Sequence, residues 1–112
     1  MVAIEVLEYV REDASCPYQE WFDSLHFQAA AKVATAKVRM AVGNTSNVGI
    51  GEYRIDWGPG YRIYLARDGE ALIVLFGGGS KAGQAADIRK AKVLHAEYKQ
   101  RKKARFGPQM RG

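Results

Sequence analysis

Cysteine, histidine and proline are all scarce in this chain, and each shortage removes a class of protein. One cysteine, Cys16, excludes an internal disulfide, and two histidines, His26 and His95, leave no Cys/His cluster with the spacing of a zinc site. Long apolar runs are missing as well; the longest, Ala71 to Phe76, is the size of one strand rather than a membrane span. No charged leader runs into an apolar stretch, so no export signal is expected. These absences predict a cytoplasmic protein that needs no metal, cofactor or membrane. Three prolines and 47% hydrophobic residues argue against wholesale disorder, and 112 residues suffice for one domain, 1–112, with its own core.

Acidic residues run short in one part of the chain. Residues 81–112 carry ten lysines and arginines against Asp87 and Glu97, whereas residues 1–26 carry six acids and only Arg11. Such polarity suits a polyanionic partner on the C-terminal side. It equally suits a solvated helix face with a frayed basic tail from about residue 102.

What is present reads as strand, two helices, three strands and a helix. Val2 to Val10 alternates, with Ile4 and Val6 against Glu5 and Glu8, and predicts a first strand. Ser15-Cys16-Pro17 opens a helix, since proline is tolerated in a first turn where its missing N–H has no helical partner. Tyr18, Trp21, Phe22 and Leu25 then form one face. From Phe27 to about Val42 an alanine-rich helix places Ala29, Val33, Ala36 and Met40 on a stripe, with Gly43-Asn44 as its cap and a polar loop to Gly51.

The stretch from Glu52 to Lys81 holds three strand-like segments. Tyr53, Ile55 and Trp57 alternate with Glu52, Arg54 and Asp56, so one face is buried and the other charged. A three-residue loop at Gly58-Pro59-Gly60 predicts Trp57 opposite Tyr61, Ile55 opposite Ile63 and Arg54 opposite Tyr64. Asp56 then meets Arg62, and a slip of one residue would throw Arg62 into the apolar face. A two-residue turn at Asp68-Gly69 predicts Leu65 opposite Leu72, Ile63 opposite Val74 and Arg62 opposite Leu75. Gly77-Gly78-Gly79 then forms the exit of the last strand, Ser80 can cap a helix reaching about Arg101, and Lys81 arrives at the same sheet end as Arg62.

The glycines before a helix allow a backbone anion site, but neither dinucleotide nor P-loop spacing is present. Arg54, Arg62 and Lys81 could hold a phosphodiester and stabilise charge growing on it; alternatively the arginines pair with Asp56 and Glu52 on a solvated face. Tyr64, Asp56, Lys81 and His95 are the candidates for proton transfer. His95 falls by the inner stripe of the last helix and reads as a packed histidine, and His26, between two helices, as a capping or loop residue.

The run Arg54 to Arg62 within YRIDWGPGYRIYLARDG, the GGGSKAGQAADIRKA exit and the basic helix after it closely resemble the HigB-like addiction module killer toxins of the RelE/ParE superfamily. The likeness spans Pro17 to about Lys99. It implies an α+β fold: a RelE-like antiparallel sheet of about four strands with an N-terminal helical hairpin and a C-terminal helix. It further implies a type II toxin–antitoxin module whose toxin cleaves mRNA on the ribosome, with a cognate helix-turn-helix antitoxin as partner. Arg62 resembles the phosphate-binding arginine of such enzymes and Lys81 a second basic residue after the last strand. Arg54 and Tyr64 are supporting candidates, and Arg89, Lys90 and Lys92 are candidate RNA contacts. A non-catalytic inhibitor of DNA gyrase, as in the ParE branch, and a degenerate interaction module are the alternatives.

Overall fold

A computed structural model describes residues 4–41 and 50–106. The expected cap at Gly43-Asn44, nearly all of the loop to Gly51, the first two positions of the expected first strand and the end of the basic tail lie outside the described residues.

In chain order the elements are β1 (Glu5–Glu8), α1 (Pro17–Asp23), α2 (Phe27–Met40), β2 (Gly51–Ile55), β3 (Tyr61–Arg67), β4 (Leu72–Ser80) and α3 (Gln84–Phe106), with one 3-10 turn over Lys81–Gly83. The strands form one sheet in the order β1-β4-β3-β2. Its architecture is α+β, with three helices. The sheet is mixed rather than antiparallel, because β1 pairs in parallel with β4, Glu5 opposite Leu72 through Glu8 opposite Leu75. Alternation marks β1 as a strand, but it carries no information on direction; that is set here by the helical crossover through α1 and α2.

Helix α1 begins with Pro17 at its first position and ends where the Ser24 hydroxyl donates to the Trp21 carbonyl at 2.6 Å. In α2 the expected stripe is the buried one: Ala29, Val33, Ala36 and Met40 are each at most 4% exposed. His26 caps this helix, its Nδ1 accepting the Gln28 N–H at 3.3 Å, which settles between the two roles, capping or loop, expected of it. Both helices cover one face of the sheet, where Tyr18, Val33 and Met40 pack on Ile55, Ile63, Leu65, Ile73 and Leu75. Helix α3 covers the other, with Ala91 and Leu94 on Tyr64, Ala66, Val74 and Phe76. The two-sided burial of β4 follows from its continuous apolar run, and each enclosed Ile, Leu or Phe there stabilises the fold by about 1.5–3 kcal/mol.

Helix α3 continues to Phe106, past the end expected near Arg101. Two polar anchors hold it. Glu97 accepts hydrogen bonds from the Tyr9 hydroxyl at 2.6 Å and from Arg11 at 2.8 and 3.1 Å. One turn on, Arg101 donates to the Val10 carbonyl at 2.9 Å, and Lys102 reaches Asp68 at 2.7 Å. Arg101 and Lys102 lie on the exposed side, as expected, and from there they also dock the helix. His95 is half-buried against Phe76, ring centres 5.4 Å apart, so it is a packed histidine. Its burial, followed by the charge of Lys99, pushes its pKa down from the usual value.

Candidate functional site

Register decides which charges meet on the α3 side of the sheet. Strands β2 and β3 pair with Ile55 opposite Tyr61, Tyr53 opposite Ile63, Arg54 opposite Arg62 and Glu52 opposite Tyr64. Relative to the expected pairing this is a shift of two residues, which keeps every side chain on its expected face and changes every partner. The cause is the loop, which takes five residues, Asp56 to Gly60, instead of three. A turn closes it from the Gly60 N–H to the Trp57 carbonyl at 3.0 Å, with Gly60 at φ +82°, a conformation other residues rarely adopt. Trp57 leaves the strand and stacks on Tyr61, ring centres 6.4 Å apart. Asp56 is exposed in the loop and does not face Arg62.

The β3–β4 pairing differs more. The turn is closed by the Asp68 N–H donating to the Leu72 carbonyl at 2.8 Å, so Asp68 to Ala71 are all loop and not Asp68-Gly69 alone. Leu65 pairs with Leu75 and Tyr64 with Gly77, leaving Phe76 as an extra residue in β4. This bulge, with Gly77 at φ +146°, puts Phe76 and Gly77 successively on the α3 side and reverses the alternation beyond them. As a result the three glycines belong to the strand itself, and Arg62 lies opposite Gly79 rather than Leu75. Ser80 ends the strand and makes no side-chain cap.

Two of these glycines are places of close approach. A methyl group on Gly78 would come within 2.5 to 2.6 Å of three carbons of the Trp21 indole, on the α1 side. On the opposite side, a methyl group on Gly79 would overlap the carboxylate of Asp87, in the first turn of α3. Asp87 thus stands over the backbone of the residue that pairs with Arg62.

Around Arg62 the charges arrange themselves as follows. Arg54 and Arg62 are cross-strand partners, and like charges in that relation repel. Glu52 lies between them: Oε1 is 3.3 Å from Arg54 and Oε2 is 3.2 Å from Arg62 Nε. The Arg62 side chain is only 12% exposed, while Arg54 is 69% exposed and reaches solvent. Tyr64, next along the same face, is buried in the α3 core with its hydroxyl making no hydrogen bond. Burial, then the negative charges of Asp87 and Glu52, push its pKa up, against an opposing pull from Arg62. At neutral pH Tyr64 is therefore a protonated phenol.

Lys81 is exposed at the same end of the sheet, its backbone N–H donating to the Gly60 carbonyl at 3.1 Å, two residues from Arg62. Arg89, Lys90 and Lys92 are exposed on the first half of α3. The fold so places Arg54, Arg62 and Lys81 at one sheet end, Tyr64 behind them and the α3 cations along the helix that starts there. Glu52 and Asp87 complete the cluster. Glu52 was legible as a possible arginine partner; Asp87 over Gly79 depends on a bulge that leaves no mark in the pattern.

A groove of about 830 Å³ lies elsewhere, toward the β3–β4 turn, between β1 and the C-terminal half of α3. Its walls include Val10, Leu72 and Tyr98 with both acids and bases, and it contains none of Arg54, Arg62 and Lys81. Among the described residues, no group of three or more His, Cys, Asp or Glu could hold a metal ion, and no helix is long and apolar enough to cross a membrane.

No protein-family model matches this chain, and no solved structure matches it. A protein of Haemophilus influenzae (strain ATCC 51907 / DSM 11121 / KW20 / Rd), described as an uncharacterized protein, is 37% identical over 86 residues, covering 71% of this chain and 87% of its own length. The chain belongs to the same family as that Haemophilus influenzae protein.

Proposed function

We propose that this protein is the toxin of a type II toxin–antitoxin module, with a RelE-like fold, and that it cleaves mRNA on the ribosome. The observation that carries the reading is the cross-strand Arg54–Arg62 pair with Lys81 at the same end of the sheet. One Glu52 carboxylate shared between the two arginines leaves the cluster, with Lys81, net positive, and a phosphodiester is the anion that a basic helix alongside would also attract. The resemblance of residues 54–62 and of the glycine exit to HigB-like toxins supports the same reading.

In the proposed step a ribose 2′-oxygen attacks the adjacent phosphorus and the P–O5′ bond breaks, leaving a 2′,3′-cyclic phosphate and a 5′-hydroxyl. The 2′-hydroxyl gives up its proton and the leaving 5′-oxygen gains one. Arg62 and Lys81 hold the non-bridging oxygens and stabilise the added negative charge, with Arg54 as a further contact. Tyr64 acts from behind them, by packing. Ribosome-bound mRNA supplies the alignment of the 2′-oxygen, and Arg89, Lys90 and Lys92 contact RNA phosphates. A cytoplasmic site of action and a helix-turn-helix antitoxin as partner belong to this reading.

A second reading, a non-catalytic inhibitor of a protein target such as DNA gyrase, is favoured by one observation: the Tyr64 hydroxyl, on the same face as Arg62, is buried out of reach of a substrate. Induction of the wild-type protein and Arg62→Ala in growing cells, with mRNA 5′ ends mapped, separates the two. New 5′ ends with the wild type and none with the variant are expected. Growth arrest with intact messages and trapped gyrase–DNA complexes would select the second.

A further inference from the structure

Glu52 occupies the position between Arg54 and Arg62 that the proposed function gives to a phosphate. Its two oxygens are divided, one to each arginine. The fit to Arg62 is incomplete. Glu52 Oε2 and Arg62 Nε are both out of solvent and 3.2 Å apart, the distance of an ion pair, yet neither atom makes a hydrogen bond. A guanidinium is satisfied by oxygens lying in the plane and direction of its N–H groups. Glu52 reaches Arg62 from the neighbouring cross-strand position, opposite Tyr64, and so comes at it diagonally. A phosphate arriving from solvent past the exposed Arg54 has no such restriction. The Glu52 side chain is itself one quarter exposed, so its carboxylate can exchange the arginines for water as a phosphate takes its place.

We propose that Glu52 is an internal competitor for the anion site: its carboxylate screens Arg54 and Arg62 in the free protein and is displaced when a nucleic-acid phosphate binds. This rests on the reading of Arg62 as a phosphate-binding residue. Two consequences follow from the chemistry. Without an anion, Glu52 keeps a poorly exposed arginine from standing unpaired opposite another cation, which favours folding. With RNA present, each binding event must break the Glu52 contacts, so isolated small anions are rejected and only a chain of phosphates held at several points displaces the carboxylate.

The test is anisotropy of a labelled ten-nucleotide 2′-O-methyl RNA, which resists cleavage by 2′-oxygen attack, titrated with full-length protein between 50 and 200 mM salt. Compared are wild type, Glu52→Gln, Arg62→Ala, the double variant, and Glu70→Gln as a charge-matched control in an exposed turn. Glu52→Gln should bind roughly two- to fivefold tighter, with the salt slope unchanged, because the same phosphates are contacted once the carboxylate has been displaced. Arg62→Ala should weaken binding and abolish the gain in the double variant. Binding by Glu52→Gln that is no tighter than Glu70→Gln, or a gain that survives in the double variant, overturns the proposal. Wild-type affinity in Arg62→Ala overturns instead the reading it rests on. If Glu52→Gln is too unstable to titrate, melting with and without sodium pyrophosphate decides: a larger upward shift in the variant than in the wild type is expected, and equal shifts contradict it.

Discussion

The carboxylate of Asp87 lies against the α-carbon of Gly79, leaving no space for a methyl group between them. Since Gly79 pairs with Arg62, this contact ties the start of α3 to the arginine strand. Asp87 is a short side chain that can rotate away, so Gly79→Ala is expected to cost about 1 kcal/mol, roughly 4 °C in Tm. Asp87→Ala in the same chain should recover most of that loss, as measured by a double-mutant cycle in urea.

Gly78→Ala should cost more, about 2–3 kcal/mol, because the obstacle is the Trp21 ring, which is clasped by Tyr18 and Tyr61 with ring centres 5.9 and 6.5 Å away. Trp21→Ala is destabilising alone, but the two changes together should be less costly than their sum. Additive costs would show that the indole and the strand are not in contact.

Tyr64→Phe removes a buried hydroxyl that has no hydrogen-bond partner. Stability should be unchanged or raised by up to about 1 kcal/mol, and toxicity on induction should be retained. Loss of toxicity without loss of Tm would show that the hydroxyl takes part in the chemistry.

Acid stability should fall in two stages. His95 is held below its usual value by burial, so below about pH 6.5 the unfolded chain takes up a proton before the folded one, and stability starts to drop. Asp68 is held below the usual carboxylate range by its hydrogen bonds from Lys102 and Tyr98, and Glu97 by those from Arg11 and Tyr9. Their contribution is complete above about pH 5 and is lost as pH falls through about 4, where the unfolded carboxylates protonate first. Melting curves from pH 8 to 3 should show both steps. His95→Gln should remove the upper one, and Asp68→Asn with Glu97→Gln should flatten the lower.

Much of this was readable in the residues themselves. The spacing of Ala29, Val33, Ala36 and Met40 identified the buried face of α2, and the continuous apolar run of β4 its two-sided burial. Faces survived where partners did not. Arg54 and Arg62 stayed on the charged side because their displacement was an even number of residues, but Trp57 left the strand for a wider loop that Gly58-Pro59-Gly60 did not reveal. The bulge at Phe76 was invisible for a physical reason: an apolar run bearing on both faces has no alternation to interrupt. So the sequence pattern could bring Lys81 to the end of the sheet that holds Arg62, but could not set Gly79 and Asp87 beside that arginine. The parallel β1–β4 pairing was hidden as well, since alternation does not encode direction.

A role of Arg62 in RNA cleavage on the ribosome can be read from a time course with purified 70S ribosomes stalled on a defined message. Wild-type protein should cut the message within the ribosome-bound codon and leave naked RNA intact, while Arg62→Ala, folded by its melting curve, should cut at least about a hundredfold more slowly, as expected for loss of a charge-stabilising contact. Equal cutting by both would remove Arg62 from the reaction, and no cutting by the wild type would show that the protein is not a ribosome-dependent nuclease.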